Sequence, residues 1–291
     1  AVRALGDAAF GDKRPVRGGG RMISSVEAAS STLDDLEAGR IRAAWPDPGA
    51  SSGWRVDPAV KAAILACFRD RRTEDWDSGP LAFRDRIGVP PKRLFESADG
   101  LAADAAGRPW RIVPGGTSIR AGVHLEPGVV VMPPSFANIG AWIGEDVMVD
   151  SHVLVGSCAQ IGARVHLAAA VQIGGVLEPA GARPVIVEDD AFVGAGAALL
   201  EGVLVRARAV IGAGVSLTGT STLYDVVNEE ILVGTVDEPL VVPADAVVVP
   251  GSRPARGAFA ERHGLSIATA LIVKYRDDGT SARVALEGTL R

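Results

Sequence analysis

An aliphatic or small residue recurs at every sixth position along the middle of this chain, and this repeat restricts the possible fold more than any other feature. Residues 178–186 interrupt the series with a segment rich in proline and glycine, and the series resumes from Val187 to Leu217. An amphipathic helix requires a period of about 3.6 residues and an ordinary strand a period of about two, so neither explains the pattern. The first part of the series is Ile119, Leu125, Val131, Ala137, Ile143, Val149, Val155, Ile161, Leu167 and Ile173.

A period of six fits one short strand and one turn per hexapeptide, with three such units closing a triangular coil of about 18 residues. A second small or apolar residue follows each member of the series by four positions, and Ser135 is the one polar residue among these as far as Leu177. Small side chains suit a narrow interior, in agreement with an aromatic content of only 5%. The sequence therefore predicts a left-handed parallel β-helix.

The segments before and after the repeat have different patterns. Apolar spacing predicts a helix over Ser25–Arg42 and a second helix that begins at Pro58, with Asp57 as its N-cap. We therefore expect a mainly β protein in three parts. These parts are a helical N-terminal domain over residues 1–107, the β-helix over 108–223 and a short β-rich C-terminal extension over 224–291.

Composition excludes several functional classes. The net charge is −5, whereas nucleic-acid-binding proteins normally carry a basic face. The chain contains neither an apolar run long enough to span a membrane nor an apolar signal-peptide core near its first residues. Its two cysteines, Cys67 and Cys158, are too few for a disulfide framework. These features predict a cytoplasmic protein with no nucleic-acid or membrane partner.

Several motifs within the repeat are more specific than its period. They are Met148–Asp150 (MVD), Val155–Ile161 (VGSCAQI), Val165–Leu167 (VHL), Ile173–Pro179 (IGGVLEP) and Glu201–Val203 (EGV). Together they resemble the tetrahydrodipicolinate N-succinyltransferase family of hexapeptide-repeat acyltransferases. The resemblance implies a homotrimer with active sites between subunits, and transfer of succinyl from succinyl-CoA to the amino group of 2-amino-6-oxopimelate, in the diaminopimelate–lysine pathway. It also implies no metal and no acyl-enzyme.

The resemblance further assigns roles to individual residues. Asp150 matches the family's acidic residue near the acceptor amine, and a carboxylate can take the proton that the attacking amine must lose. Arg111 matches an arginine that holds an acceptor carboxylate, and the carbonyl of Gly175 matches a group that meets the acceptor's amino group. In folds of this kind the pantetheine arm of CoA lies along exposed coil backbone, so the resemblance implies contacts at Gly194, Ala195, Gly212 and Ala213. Lys274 is a candidate contact of a CoA phosphate.

The chain departs from the family pattern at two positions. Ala198 stands where the family has a second catalytic carboxylate, and Thr222 lies in a segment where the family has an arginine. His152 is a candidate replacement base, since residues two apart in an extended strand point the same way and His152 would then lie beside Asp150.

Other functions remain open from the sequence alone. The same fold and chemistry could serve an acetyl-CoA donor or another amino-acid acceptor, or the chain could be a non-catalytic trimeric scaffold that binds ligands. A zinc enzyme would need three converging imidazoles, and the spacing of His152 and His166 does not match one coil. We expect His166 to be structural and Cys158 not to act as a nucleophile.

Overall fold

The computed structural model describes residues 25–78, 81–92, 110–277 and 279–280 of the 291-residue chain. The predicted boundary at residues 107 and 108 lies outside these ranges. No helix in the described part is long and apolar enough to cross a membrane. The elements before the repeat are α1 (Ser25–Glu37), β1 (Ala44–Pro46), β2 (Trp54–Val56), α2 (Pro58–Cys67), β3 (Thr73–Ser78) and β4 (Leu81–Arg86).

The repeat forms a left-handed β-helix of two-residue strands, as predicted. These are β5 (Arg111–Ile112), β6 (Ser118–Ile119), β7 (His124–Leu125), β8 (Val130–Val131), β9 (Phe136–Ala137), β10 (Trp142–Ile143), β11 (Met148–Val149), β12 (Leu154–Val155), β13 (Gln160–Ile161), β14 (His166–Leu167), β15 (Gln172–Ile173), β16 (Ile186–Val187), β17 (Phe192–Val193), β18 (Ala198–Leu199), β19 (Leu204–Val205), β20 (Val210–Ile211) and β21 (Ser216–Leu217).

Successive strands along the chain belong to three different parallel sheets, which are the faces of a triangular prism. We name them the first face (β5, β8, β11, β14, β17, β20), the second face (β6, β9, β12, β15, β18, β21) and the third face (β7, β10, β13, β16, β19). The first, second and third corners are the turns that follow the strands of the face of the same number. Each residue therefore lies directly beside the equivalent residue of the next coil, about 4.8 Å away.

The interior of the prism consists of the predicted aliphatic residues. Both series point inward and are buried, from Ile119 and Val123 at one end to Leu217 at the other. Leu177 is the exception, because the chain leaves the coil after Gly174. Its side chain packs instead against the cluster that α1 and α2 form with the second corner.

The N-terminal elements cover the second corner and the third face. Leu33 and Leu36 of α1 and Ile64 of α2 pack on Ile139 and other residues of the second corner. The guanidinium of Arg42 stacks 4.0 Å from the ring of Trp142 on the third face. Burial lowers the pKa of Arg42 to about 10, and neighbouring acidic groups partly offset this effect. The N-terminal region thus encloses a large part of the prism.

The predicted helix boundaries are partly correct. The Asp57 side chain caps α2 by accepting hydrogen bonds from the amides of Ala59 (3.0 Å) and Val60 (3.2 Å), as predicted. The first helix ends at Glu37 rather than at Arg42. The chain then turns through Gly39, which has φ 69°, and this turn brings Arg42 onto the third face.

The C-terminal part adds strands to the prism. Its elements are β22 (Thr222–Asp225), β23 (Glu230–Val233), β24 (Val241–Val242), β25 (Ala246–Pro254), α3 (Ala258–Arg262) and β26 (Ser266–Tyr275). Strand β24 pairs in parallel with β19, and β25 pairs in parallel with β20. Coil pairing therefore continues beyond residue 223, where the sequence places the start of a separate extension. The three-part division of the chain stays a prediction.

Close stacking of coils yields a stability prediction at Gly156. A Cβ added there would lie 2.2 Å from the amide nitrogen of Gly175 in the next coil, a contact that side-chain motion cannot relieve. We expect Gly156→Ala to destabilise the protein by about 3 kcal/mol, the upper end of typical overpacking costs. Gly181→Ala is the matched control, because nothing lies within 4 Å of the added atom. Equal melting temperatures for the two variants, measured at one protein concentration, would contradict this packing.

Candidate functional site

Asp150 begins the first-corner turn that follows β11. Its amide donates to the carbonyl of Leu167 in the next coil (2.9 Å), which fixes the backbone. The carboxylate Oδ1 accepts a hydrogen bond from the amide of Ser151 (2.7 Å), so the side chain lies folded over its own turn. Asp150 is half-buried and therefore combines a fixed position with access from outside.

His152 does not have the extended geometry on which its pairing with Asp150 was predicted. Residues 151 and 152 form the turn itself, and His152 has φ 63°, in the left-handed region. The alternation of side chains in a strand does not apply across such a turn, so the same-side argument is wrong. The His152 side chain is exposed at the first corner. A catalytic role for it stays a prediction.

Small residues occupy the first corner in the coils beyond Asp150. Parallel pairing places Ala168, Gly194 and Gly212 in one column with Asp150. A Cβ on Gly194 would lie 2.6 Å from the amide nitrogen of Ala213, so glycine permits these coils to stack closely. Ala195 and Ala213 are exposed. The structure thus brings all four predicted CoA-binding coil residues to the same corner as Asp150, and about 14 Å separates Asp150 from Gly212 over three coils.

The two predicted acceptor-binding residues lie elsewhere on the prism. Arg111 is exposed on the first face, where it pairs with Val130, two strands from Met148. Gly175 is exposed at the second corner, at the opposite end of the second face from Asp150. It lines a cavity of about 430 Å³ together with Glu178 and Glu201. One copy of the chain therefore does not bring Gly175 to Asp150.

The predicted CoA-phosphate contact, Lys274, lies in β26. Its register partner is Val247, which pairs in turn with Val210 on the first face, two residues before Gly212. The Lys274 amine forms an ion pair with Asp277 (2.8 Å). The backbone of Lys274 is therefore displaced from the column that contains Gly194 and Gly212.

The two positions that depart from the family pattern also have defined surroundings. Ala198 points outward on the second face, between Gln172 and Ser216 in the neighbouring coils. Thr222 begins β22, and its carbonyl accepts a hydrogen bond from the hydroxyl of Thr269 (3.1 Å). A methyl group thus occupies the surface where the family resemblance places a second carboxylate.

The Cys158 thiol is enclosed between the second corner and α2. It is fully buried, and burial raises its pKa to about 12. The nearby Lys61 amine donates hydrogen bonds to the carbonyls of Ala182 (2.8 Å) and Pro179 (3.2 Å), which holds the interrupting loop against α2. The protonated, enclosed thiol has the environment of a structural cysteine.

The histidines of the β-helix lie on separate surfaces. His124 stacks on Trp142 at the third face with ring centroids 3.9 Å apart, and burial lowers its pKa. His166 lies in the middle of the first face, edge-on to Phe192 at 5.1 Å. In the described ranges, no group of three or more His, Cys, Asp or Glu residues is placed to hold a metal ion.

Two features of the site escaped the sequence analysis. Residues 168–170 (AAA) lie at the first corner between Asp150 and Gly194, and counting one coil of about 18 residues from Asp150 would have found them. Ser135 contacts the carbonyl of Asp150 (2.9 Å) from the preceding coil. Its polarity in an apolar series was visible in the sequence, but its partner was not.

Comparison with known proteins agrees with this architecture. A family model described as a hexapeptide repeat of succinyl-transferase matches residues 184–219. A solved Campylobacter jejuni structure, provisionally named a 2,3,4,5-tetrahydropyridine-2-carboxylate N-succinyltransferase, superposes with a TM-score of 0.51 at 16% identity. That alignment covers 94% of this chain and 65% of the solved chain, and it supports the fold alone.

Curated relatives are similar over nearly the whole chain. A 2,3,4,5-tetrahydropyridine-2,6-dicarboxylate N-succinyltransferase from Xylella fastidiosa is 40% identical over 89% of this chain and 86% of its own length. The enzyme of the same name from Idiomarina loihiensis is 41% identical over 91% of this chain and 89% of its own length. The chain therefore belongs to the 2,3,4,5-tetrahydropyridine-2,6-dicarboxylate N-succinyltransferase family.

Proposed function

We propose that this chain is a CoA-dependent N-acyltransferase that transfers succinyl from succinyl-CoA to the amino group of tetrahydrodipicolinate in its ring-opened form. The observation that carries the proposal is the first corner, where Asp150 adjoins a column of small residues. The curated relatives carry the same activity in their names. The reaction belongs to the diaminopimelate–lysine pathway.

The chemistry is direct transfer between the two substrates. The acceptor's neutral amine attacks the thioester carbonyl, a C–N bond forms and the C–S bond breaks. Asp150 takes the proton that the amine loses, and the CoA thiolate leaves and takes a proton from solvent. The Ser151 amide, 2.7 Å from the Asp150 carboxylate, holds this base in place. A positioned base of this kind accelerates proton transfer by about 10²–10⁴-fold.

The first corner is also the proposed path of the pantetheine arm of CoA. Gly194, Ala195, Gly212 and Ala213 form a strip without long side chains, in which Ala195 and Ala213 are exposed. A Cβ on Gly196, beside this strip, would meet nothing within 4 Å. An extended arm lying along this strip would end with its thioester beside Asp150. Lys274 is the proposed contact of a CoA phosphate, and it would first have to leave Asp277.

A homotrimer accounts for the separation of the predicted acceptor-binding residues. Gly175 and Asp150 lie at different corners of one chain, so a site that uses both requires two copies. In that arrangement the Gly175 corner of one copy approaches the first corner of its neighbour, with Arg111 binding an acceptor carboxylate. The described N-terminal elements pack on the second corner and the third face. We place the enzyme in the cytoplasm, where buried free thiols such as Cys67 and Cys158 stay reduced.

Ala198 supports a second candidate within the same chemistry. Its methyl group replaces a carboxylate, and this loss of charge would alter the recognition of substrates. A site changed in this way could accept acetyl-CoA or a different amino acid.

The choice between these donors can be tested by measuring thiol release from succinyl-CoA and acetyl-CoA in parallel, with tetrahydrodipicolinate as acceptor. We expect turnover with succinyl-CoA at least about tenfold faster than with acetyl-CoA, and no release when the acceptor is omitted. Turnover with acetyl-CoA alone would favour the second candidate. An absence of turnover with both donors would contradict the proposed acceptor.

The proton-transfer role is tested at Asp150. We expect Asp150→Asn to lower kcat by at least about 10²-fold, because the amide cannot accept the proton. His152→Ala is measured in the same assay. An unchanged rate and pH profile for this variant would show that His152 takes no part in the proton transfer. A rate near that of the unsubstituted enzyme for Asp150→Asn would remove Asp150 from the mechanism.

Direct transfer also predicts unreactive cysteines. Burial raises the pKa of both thiols, to about 12 for Cys158, so neither is ionised at pH 8. We expect the folded protein to resist a thiol reagent at that pH and to titrate both cysteines after unfolding. Cys158→Ala should retain acyl transfer. If this variant lost activity without a fall in melting temperature, the result would point to an acyl-enzyme instead.

A further inference from the structure

Ser135 occupies an inward position of the repeat that otherwise holds small or apolar side chains. It is buried, with 7% of its surface exposed. Three main-chain groups surround its hydroxyl: the carbonyls of Met132 (2.9 Å) and Asp150 (2.9 Å), and the amide of Val153, which donates to it at 3.1 Å. A buried hydroxyl without partners would be costly, and here its one proton is shared between the two carbonyls while one lone pair accepts from the Val153 amide.

The hydroxyl stands in the middle of the Asp150 turn. At the same corner of later coils, the fourth residue of the turn donates to the carbonyl of the first, as in Val171 to Ala168 (3.2 Å) and Ala197 to Gly194 (3.1 Å). In the Asp150 turn these two groups, the Val153 amide and the Asp150 carbonyl, both bond to Ser135 instead. A side chain of the preceding coil therefore replaces the bond that usually closes the turn.

The coil beneath this turn also departs from the regular pattern. Pro133 and Pro134 lack amide hydrogens, and the His152 amide donates to the carbonyl of Pro134 (2.7 Å). Ala170 is the equivalent of His152 in the next coil, but its amide donates to the carbonyl of Ser151 (2.8 Å), the residue before His152. The Asp150 turn thus rests on a corner of different shape, and Ser135 connects the two.

We propose that Ser135 is a positioning residue that sets the orientation of the Asp150 carboxylate by holding its turn open. This inference rests on the proposed role of Asp150 as the proton acceptor. Ser135 does not touch the substrates and acts only through the backbone of residues 150–153. If its hydroxyl is removed, the Val153 amide and the Asp150 carbonyl can bond to each other, as in the neighbouring coils. The turn then closes, and the carboxylate moves.

Two substitutions of nearly identical shape separate the hydroxyl from packing. Valine is the residue that neighbouring coils carry at equivalent positions, as at Val153 and Val171. Threonine has the same shape and keeps the hydroxyl. We expect Ser135→Val to lower kcat by about tenfold or more, with little change in the KM of either substrate and an unchanged or higher melting temperature. Ser135→Thr should keep kcat within about threefold of the unsubstituted enzyme.

A double-mutant cycle shows whether Ser135 acts through Asp150. In the Asp150→Asn background we expect Ser135→Val to have no further effect on the residual rate, because coupled residues are not additive. Equal rates for Ser135→Val and Ser135→Thr would overturn the proposal, as would full additivity in the cycle. If either variant fails to fold, Ser135→Ala against the unsubstituted enzyme gives the same comparison.

The cycle also separates this inference from the proposed function. An Asp150→Asn enzyme with full activity contradicts Asp150 as the base, whatever Ser135 does. A strong Asp150→Asn effect beside an active Ser135→Val enzyme contradicts only the positioning role. A crystal structure of Ser135→Val gives a result independent of activity: a hydrogen bond between the Val153 amide and the Asp150 carbonyl is expected, and an unchanged open turn would overturn the proposal.

Discussion

The parallel hydrogen bonds between successive coils are the interaction on which the rest of this protein depends. Backbone amides donate to carbonyls of the next coil, as when the amide of Asp150 donates to the carbonyl of Leu167 and that of Gly194 to the carbonyl of Ile211. Residues that are distant in sequence thereby form straight columns along the prism. A chemical group at one corner consequently has fixed neighbours about 4.8 Å above and below it. This placement aligns a half-buried carboxylate with a column of small residues without any dedicated loop.

The same ladder leaves the prism with flat surfaces that other parts of the chain must cover. Helices α1 and α2 occupy the second corner, and the buried Lys61 holds the interrupting loop there through two carbonyls. Arg42 lies just before the antiparallel pair of β1 and β2, and its stacking on Trp142 holds this pair against the third face. Among the described residues, these contacts lie at the second corner and the third face, and Asp150 is half-buried at the first corner. The contacts that stabilise the prism therefore lie at a different corner from Asp150.

The sequence predicted the periodic part of this structure well, because hexapeptide spacing determines which side chains point inward. It failed where tertiary contacts override the local pattern. Leu177 leaves the series because the chain departs into a loop, and His152 lies in a turn rather than a strand. For the site, the resemblance supplied Asp150 and the small corner residues, and the coils brought them together. The contact of Ser135 with Asp150 depends on turn geometry, which no spacing rule provides.

The replacement of a carboxylate by the methyl group of Ala198 would change substrate recognition more than it would change proton transfer. Attack of an amine on a thioester requires one proton acceptor, which is the role that we propose for the Asp150 carboxylate. The leaving group is a thiolate, which is a much weaker base than an alkoxide, so its departure does not require a second acid. In the proposed reaction, a carboxylate on the second face would add a negative charge near a dicarboxylate acceptor and a succinyl chain. Its replacement by Ala198, between Gln172 and Ser216, leaves a neutral surface. In the proposed site, selection among acyl chains at Ala198 would come from shape and neutral hydrogen bonds rather than from charge.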